Sequence, residues 1–242
     1  MKRRILLAFL VLAAPLAAVN VTGSNTLVHI ADGGQWTTTF SLVNLDTSTA
    51  SYTLNFYADD GTPLSLGIVG SGTASVVTGA LAVNGSAVLQ TTGGGSVRQG
   101  WARLTSSQKV GAQAIFKSHV AGQQDSEAAV QIDLASRAFT VAFDNSNGYF
   151  TGVAVANTDN LNPATIVATF HDATGAEIGA PVTVTTLKPL GHIAVLLNQT
   201  LPASFGQRGT VQITCVSFCS IAGLGLRFNP AGPFTSTTAF GL

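Results

Sequence analysis

The sequence predicts an all-β protein made of two tandem β-sandwich domains. From Thr26 onward the chain consists of short runs in which apolar and polar side chains alternate, separated by Gly, Asn, Asp and Ser. Such alternation is typical of half-buried strands, and no run keeps the 3.6-residue period of an amphipathic helix. The pattern of the N-terminal half also returns, in the same order, in the C-terminal half. These observations favour paired sheets over a helical or mixed architecture.

The clearest repeat relates residues 28–44 to residues 141–157. In both stretches a short strand leads through a turn rich in Asp, Asn and Gly to an aromatic residue, and then to an alternating strand that ends on Asn. Because Asn, Asp and Gly accommodate tight turns, both stretches are interpreted as a strand, a turn and a second strand. The duplication therefore marks the entry to each predicted sandwich.

Alternation within the second strand of each repeat predicts which side chains face the core. Trp36 shares a face with Phe40 and Leu42, and Tyr149 occupies the position of Trp36 in the second copy. We therefore expect Trp36 in the core as well. The core residues expected from the same strands are Phe40, Leu42, Val153 and Val155.

The remaining strands follow in matched order in the two copies. Runs at 52–57 and 166–171 each lead into a turn that contains Asp and Gly, as hairpin loops do. The other strands are expected near 74–78, 86–91, 100–105, 110–117 and 128–134 in the first copy, and near 182–186, 192–197, 209–215, 220–228 and 236–240 in the second.

The repeat places the domain junction at residues 135–137. The predicted domains are 19–135 and 136–242, each of about 110 residues, which is long enough to bury a core of its own. The linker is too short for independent tumbling, so the two domains are expected to touch.

The N-terminus has the layout of a secretory signal peptide. The basic residues Lys2, Arg3 and Arg4 precede an apolar run at 5–14, and small residues then lead to a cleavage site after Ala18. An apolar run of this length is too short to span a bilayer. We therefore expect residues 1–18 to be removed, and the mature chain to be extracellular or periplasmic without a transmembrane span.

Charge excludes a nucleic-acid partner and raises a question about the sheet edges. Without residues 1–18, eight basic residues face eleven acidic ones, and charged residues make up only 9% of the whole chain. A phosphate backbone requires a basic stripe that is missing here. Open sheet edges are usually protected by Lys, Pro or bulges. With few Lys available, we expect some edges to be covered by the neighbouring domain or by another copy of the protein.

Cys215 and Cys219 are the only cysteines of the chain. In an exported protein such a pair is expected to form a disulfide. A metal site is the alternative, but two thiols without a nearby histidine fall short of four ligands. The disulfide is therefore favoured, and its very small loop predicts a stabilising effect below the roughly 3 kcal/mol expected for a fifteen-residue loop.

No residue set predicts catalysis. The four histidines have no metal-ligand spacing, and the sequence contains no Gly-x-Ser-x-Gly elbow, zinc-protease motif or phosphate-binding Gly loop. A hydrolase triad assembled in space from this Ser-rich chain remains an alternative. The prediction is a non-enzyme with no catalytic, cofactor-binding or metal-binding residues and no cofactor. The histidines are His29, His119, His171 and His192.

Several loop aspartates have two interpretations. Carboxylates in loops are calcium ligands, but no loop shows the alternating acidic pattern of a calcium site. Turn formation already explains an Asp at each of these places, and that interpretation is favoured. The residues concerned are Asp32, Asp59, Asp60, Asp144 and Asp172.

Trp101 and Arg103 are the candidate ligand-binding residues. If Ala102 and Leu104 face the core, alternation places Trp101 and Arg103 on the outer face of the same strand. The second copy has polar residues at both positions, so the core does not require an aromatic there. An exposed Trp beside a cation would suit a sugar or a protein partner. The alternative, favoured by the short linker, is that Trp101 packs against the second domain with Arg103 stacked over it.

Three motifs, at 31–44, 99–103 and 223–230, resemble a family of exported bacterial proteins. The resemblance covers most of the mature chain and implies a tandem β-sandwich, but it supplies no functional residues. More loosely, the repeats resemble immunoglobulin-like or fibronectin-type modules of bacterial surface proteins, although the Cys and Trp arrangement of true immunoglobulin domains is missing.

The expected function is that of a non-catalytic, secreted or cell-surface module for adhesion or extracellular structure. A carbohydrate-binding module that uses Trp101 is the alternative, and a secreted hydrolase is a further one. The expected partners are a polysaccharide or a cell-surface protein, with self-association through sheet edges.

Overall fold

A computed structural model describes residues 25–122, 124–133, 135–216 and 218–242. The signal peptide predicted for residues 1–18 lies outside the described residues. The described chain is all-β, as the alternation predicts, and its helical content is one short α-helix and one 3₁₀ turn.

Strands β1 to β10 form the N-terminal half, and strands β11 to β19 form the C-terminal half. The first ten are β1 (Asn25–Asp32), β2 (Trp36–Asn44), β3 (Ala50–Ala58), β4 (Leu66–Ile68), β5 (Gly72–Ala74), β6 (Val76–Leu81), β7 (Ser86–Gln90), β8 (Arg98–Ser106), β9 (Val110–Ser118) and β10 (Ser126–Gln131). The others are β11 (Ala138–Asp144), β12 (Phe150–Asn157), β13 (Ala164–Asp172), β14 (Val182–Leu187), β15 (His192–Leu196), β16 (Arg208–Cys215), β17 (Ile221–Phe228), β18 (Phe234–Thr237) and β19 (Ala239–Gly241). The helix α1 (Leu197–Thr200) and a 3₁₀ turn (Pro202–Ser204) follow β15.

Each half contains two antiparallel sheets of matching strand order. In the N-terminal half the orders are β1-β8-β3-β6 and β10-β9-β2-β7, and β4 and β5 form a separate hairpin. In the C-terminal half they are β11-β16-β13-β14, with β19 added beside β11, and β18-β17-β12-β15. If the β4–β5 hairpin and β19 are set aside and the strands of each half are counted from its own first strand, the two halves have the same strand order in both sheets.

The facing sheets of each half enclose an apolar core. Phe40 and Leu42 of β2 are fully buried, and the ring centroid of Phe40 lies 5.3 Å from that of Phe56 in the opposite sheet. In the C-terminal half, Val153 and Val155 of β12 are buried in a second core. The prediction that these four side chains face the two cores is confirmed.

Strand β12 is buried on both of its faces. Val153 and Val155 belong to the C-terminal core, whereas Ala154 and Ala156 between them pack against the core of the N-terminal half. Leu224 of the neighbouring strand β17 joins them there. Alanine brings the backbone of β12 close to the other half, so the two halves share a continuous apolar contact.

Trp36 is not a core residue, and this corrects the expectation from its parity. Its side chain is only partly buried and packs against Phe116 and against Phe234 of the C-terminal half, at centroid distances of 5.9 and 5.6 Å. Tyr149, its counterpart, lies under the guanidinium of Arg227 at 3.7 Å. Trp36 begins β2, so it faces the correct side but lies at the rim of the sandwich.

Candidate functional site

The two halves meet at a group of polar and aromatic side chains, which we call the junction cluster. It consists of His29, Asp59, Trp101 and Arg103 from the N-terminal half and His192 from the C-terminal half. His29 lies on β1, Trp101 and Arg103 lie on β8, and Asp59 lies in the turn directly after β3; these three strands are neighbours in one sheet. Because the junction cluster combines two histidines, a carboxylate, an indole and a guanidinium, we take it as the candidate site.

Two turns bring the cluster together. The backbone N–H of His192 donates to the carbonyl oxygen of Asp59 over 3.0 Å, which joins the turn after β3 to the turn before β15. Gly61 lies in the first turn with a φ of +84°, a conformation that costs an L-residue energy. A Cβ atom at Gly61 would also collide with the carbonyl oxygen of Pro189 in the second turn. Glycine therefore permits both the turn and the close approach of the two halves.

Trp101 has no exposed surface in this arrangement. Its indole N–H donates to the carbonyl oxygen of Leu190 over 2.7 Å, and its ring stacks on Tyr57 at 4.8 Å. The guanidinium of Arg103 lies 5.2 Å from the centre of the indole ring and donates to the carbonyl oxygen of Thr158 over 2.5 Å. Both side chains therefore bind backbone oxygens of the C-terminal half.

These contacts decide between the two interpretations of Trp101 and Arg103. Ala102 and Leu104 are fully buried in the N-terminal core, so the predicted parity of β8 is correct. The outer face of β8 is covered by the C-terminal half, so the ring is not exposed, and the favoured interpretation, in which Trp101 packs against the second half with Arg103 over it, matches the contacts. A sugar could stack on Trp101 only if the halves separated. Sequence alone does not show this, because the alternation of side chains along a strand does not reveal what covers its outer face.

A chain of hydrogen bonds runs from Asp59 through His192 to His29. The Nδ1 atom of His192 lies 2.7 Å from Oδ1 of Asp59, and its Nε2 atom lies 3.3 Å from Nδ1 of His29. Gln99 donates to the other carboxylate oxygen of Asp59 over 2.8 Å. The Asp59 carboxylate accepts a hydrogen bond from the Nδ1–H of His192, and one imidazole donates a single N–H to the other. The two rings themselves stack at 5.2 Å.

Burial controls the electrostatics of the hydrogen-bonded residues Asp59, His192 and His29. Desolvation, together with the neighbouring His192, lowers the pKa of His29 from 6.5 to about 3, so this imidazole is neutral at neutral pH. Partial burial would raise the pKa of Asp59, but hydrogen bonds from His192 and Gln99 outweigh this effect and hold that pKa below its usual value. The result is a carboxylate at the outer end of the chain and an uncharged histidine at the inner end.

The hydrogen-bonded series Asp59–His192–His29 resembles only part of a hydrolase triad. In such a triad a carboxylate orients a histidine whose second nitrogen faces a nucleophilic hydroxyl. Here the second nitrogen of His192 faces His29 instead. The contacts therefore orient and hold the two rings, and they join the halves across the junction.

Sequence reasoning did not bring His29 and His192 together, because 163 positions separate them and no motif links them. One signal was available. His29 interrupts the apolar run of β1, and a polar side chain buried in such a strand requires a hydrogen-bond partner. His119 differs, since it is exposed and binds Asp125 over 2.6 Å on the surface.

The aspartates that end β1 and β11 form matching ion pairs. Asp32 lies 2.6 Å from Arg98, and Asp144 lies 3.0 Å from Arg208, each directly across an antiparallel strand pair. Asp144 also binds Arg227 at 2.9 Å. Partial burial would raise the pKa of Asp144, but hydrogen bonds from Arg227 and its other partners hold it well below the usual range. The carboxylates of Asp32 and Asp144 therefore form ion pairs with arginine side chains and are not free to bind a calcium ion.

Asp60 and Asp172 stabilise equivalent turns. Each accepts hydrogen bonds from the backbone and the hydroxyl of a threonine two residues later, Thr62 and Thr174. This is the local bonding expected of Asp in a turn. Among the described residues, no group of three or more His, Cys, Asp and Glu side chains is placed to hold a metal ion.

Cys215 and Cys219 lie at disulfide distance at the turn between β16 and β17. Their Cα atoms are 6.3 Å apart, within the range of disulfide geometry. Phe218, between them, is 89% exposed. The cysteine pair thus closes a short loop at one end of the C-terminal half, and both cysteines are buried as part of the C-terminal core.

The fold and the junction together define the class: an all-β, sandwich-like protein with several antiparallel sheets, whose two halves are joined by a buried polar and aromatic cluster. Comparison of the chain with protein-family models, with curated proteins and with solved structures found no match. Within the part of the chain that is described, no helix is long and apolar enough to cross a membrane.

Proposed function

We propose that this protein is an exported, non-catalytic module of two immunoglobulin-like β-sandwich domains, related by duplication, that serves in adhesion or extracellular structure. One observation supports this most directly. Trp101, Arg103 and the Asp59–His192–His29 chain are all engaged in contacts between the halves. The side chains best suited to chemistry or ligand binding therefore act as structural connectors.

The proposed duplication is supported by connectivity and by the ion pairs. Both halves have the same strand order in both sheets. The pairs Asp32–Arg98 and Asp144–Arg208 also occur at the same register, at the end of the first strand of each half. Two unrelated sandwiches would have no reason to share these details. On this proposal the domains correspond to residues 19–135 and 136–242.

The proposed export is supported by the N-terminus and by the cysteine pair. A basic segment followed by an apolar run and small residues is the signature of a signal peptide. Cysteines at disulfide distance suit an oxidising compartment. The low content of charged residues agrees with a surface built mainly from Thr, Ser, Asn and Gly.

A fixed junction suits a structural role. Domains joined only by a flexible linker change their relative orientation freely, whereas a large apolar contact with hydrogen bonds across it keeps them in place. In this chain β12 and β17 contribute to both cores, and the junction cluster adds polar contacts beside them. Surfaces on the two domains would therefore be presented at a constant spacing to a partner or a matrix.

Two experiments test the proposal. The first expresses the full chain in a bacterial host and sequences the N-terminus of the protein outside the cytoplasm, which should begin at Val19. Retention in the cytoplasm with an intact N-terminus would contradict export.

The second experiment assays the purified mature protein against panels of ester, peptide and glycoside substrates, and measures retention of protein-coated beads on bacterial cells. We expect bead retention without turnover. Turnover that disappears in His192→Ala but persists in the surface control His119→Ala would overturn the non-catalytic assignment.

A further inference from the structure

Several sheet edges are covered within the chain itself. Strand β1, at one edge of its sheet, is almost entirely buried and packs against β12 and β17. Strand β10 lies beside β18 of the other half, and β19 pairs with the outer side of β11. The C-terminal half and the C-terminal strand β19 therefore cover sheet edges that could otherwise pair with strands of other protein molecules.

Strand β6 is an edge without such cover. It pairs with β3 on one side, and within the described part of the chain no strand pairs with its other side. The backbone of Phe56 donates to Ser75, so the residues that bond to β3 are Ser75, Val77 and Gly79. Because backbone groups alternate in direction along an antiparallel strand, those of Val76, Thr78 and Ala80 point outward.

The usual devices that protect an edge are missing from β6. The strand contains no charged residue and no proline, and the chain has no charged residue between Asp60 and Arg98. Its register with β3 runs without a shift from Val76 to Leu81. The corresponding edge strand of the C-terminal half, β14, has a register shift, which is the signature of a protective β-bulge. The two halves therefore differ in this respect.

We propose that β6 pairs with β6 of a second copy of this chain, in an antiparallel two-fold arrangement centred on Thr78. In that register Thr78 lies opposite Thr78 of the partner, and Val76 lies opposite Ala80. Threonine pairs and small apolar pairs are favourable across antiparallel strands, and no charges oppose each other. The pairing joins two four-stranded sheets into one sheet of eight.

The strand itself argues for a second copy as the occupant. A two-fold contact requires a surface that is complementary to itself, and it closes after two chains. The uncharged outer edge of β6 meets this requirement, because its outward backbone groups satisfy one another when two copies meet. The inference does not depend on the adhesion role.

The contact is small. A single strand pair buries less than the roughly 1,200–2,000 Å² of a standard stable interface, so a weak dimer is expected, populated only at high protein concentration. Exposed valines near the edge, among them Val76 at 47% and Val83 at 46%, add apolar area to the contact.

Sedimentation velocity over a range of concentrations tests the proposal on the mature protein. Thr78→Lys places like charges opposite each other and should abolish dimer formation. Thr183→Lys makes the same change on the exposed face of β14 and should leave the concentration dependence unchanged. Far-ultraviolet circular dichroism of both variants establishes that they are folded.

Cross-linking provides a second test that does not require a disruptive charge. Thr78→Cys should form an intermolecular disulfide under mild oxidation, because the paired Cα atoms would lie about 5.5 Å apart. Thr183→Cys should remain monomeric. A wild-type protein that is monomeric at all concentrations, a Thr78→Lys variant that still dimerises, or equal cross-linking of the two cysteine variants would each overturn the proposal.

Discussion

His192 of the C-terminal half donates from Nδ1 to Asp59 of the N-terminal half over 2.7 Å, and the backbone of the same histidine donates to the carbonyl oxygen of Asp59 over 3.0 Å. This residue is therefore held twice by one partner across the boundary. Its side chain is fully buried, whereas that of Asp59 is 44% exposed. The pair forms the outer end of a polar contact that continues inward to His29.

Replacement of His192 by alanine should destabilise the protein. The change leaves the buried Nδ1 of His29 without its partner and removes a bond to a carboxylate, at an expected cost of roughly 1–3 kcal/mol. Urea unfolding of the mature protein measures the difference. His119→Ala, which removes an exposed surface contact with Asp125, should change stability by less than about 0.5 kcal/mol. Equal effects of the two substitutions would show that the buried chain contributes nothing.

Acid should weaken the fold between pH 6.5 and about pH 3. In this window an unfolded His29 binds a proton, whereas the folded protein keeps it neutral until about pH 3. The unfolded state thus binds more protons, and the free energy of unfolding falls as the pH falls, by at most about 1.4 kcal/mol per pH unit for this group. Asp59, whose pKa is lowered, adds a loss in the same direction at the acidic end.

Urea unfolding across this pH range measures the slope. His29→Gln cannot titrate there, so its stability should depend less steeply on pH than that of the wild type. Parallel pH profiles for the two proteins would contradict the role assigned to His29.

Gly61→Ala should be more disruptive than Gly175→Ala, although both glycines have nearly the same positive φ, +84° and +87°. Nothing lies within 4 Å of a Cβ atom placed at Gly175, so that substitution carries only the conformational penalty of about 1–2 kcal/mol. At Gly61 the methyl group also meets the carbonyl oxygen of Pro189. Thermal unfolding of both variants provides the comparison, and equal losses would mean that the turns do not press against each other.

Trp101→Ala should cost about 3–5 kcal/mol, as expected for the loss of a buried aromatic ring. The equivalent change in the C-terminal half, Thr210→Ala, removes no ring and should have a much smaller effect. Chemical unfolding measures both. Trp101→Phe retains most of the ring but loses the bond to Leu190, so it should fall between them.

The same variants test the carbohydrate alternative. A buried Trp101 predicts no change of tryptophan fluorescence with polysaccharides. Quenching by a polysaccharide that disappears in Trp101→Phe would restore Trp101 as a ligand-binding residue.

The alternation of side chains by itself determined the all-β class, the positions of most strands and the inward direction of Phe40, Leu42, Val153 and Val155. It also determined that Trp101 faces away from the N-terminal core. These are local properties, because the direction of a side chain in a strand depends only on parity along the chain. The point at which a strand begins or ends is not a local property. Parity therefore predicts Trp36 in the core, although Trp36 begins β2 and lies at the rim of the sandwich.

Only the tertiary structure decided what the outward side chains meet. Trp101 is buried because the C-terminal half covers β8, and His29 finds His192 across 163 positions of sequence. Likewise, β12 serves two cores because a second layer packs on its outer face. Parity along a strand separates one face from the other, but it does not distinguish water from a neighbouring sheet. That distinction depends on how the two halves dock, and docking is a property of the whole surface.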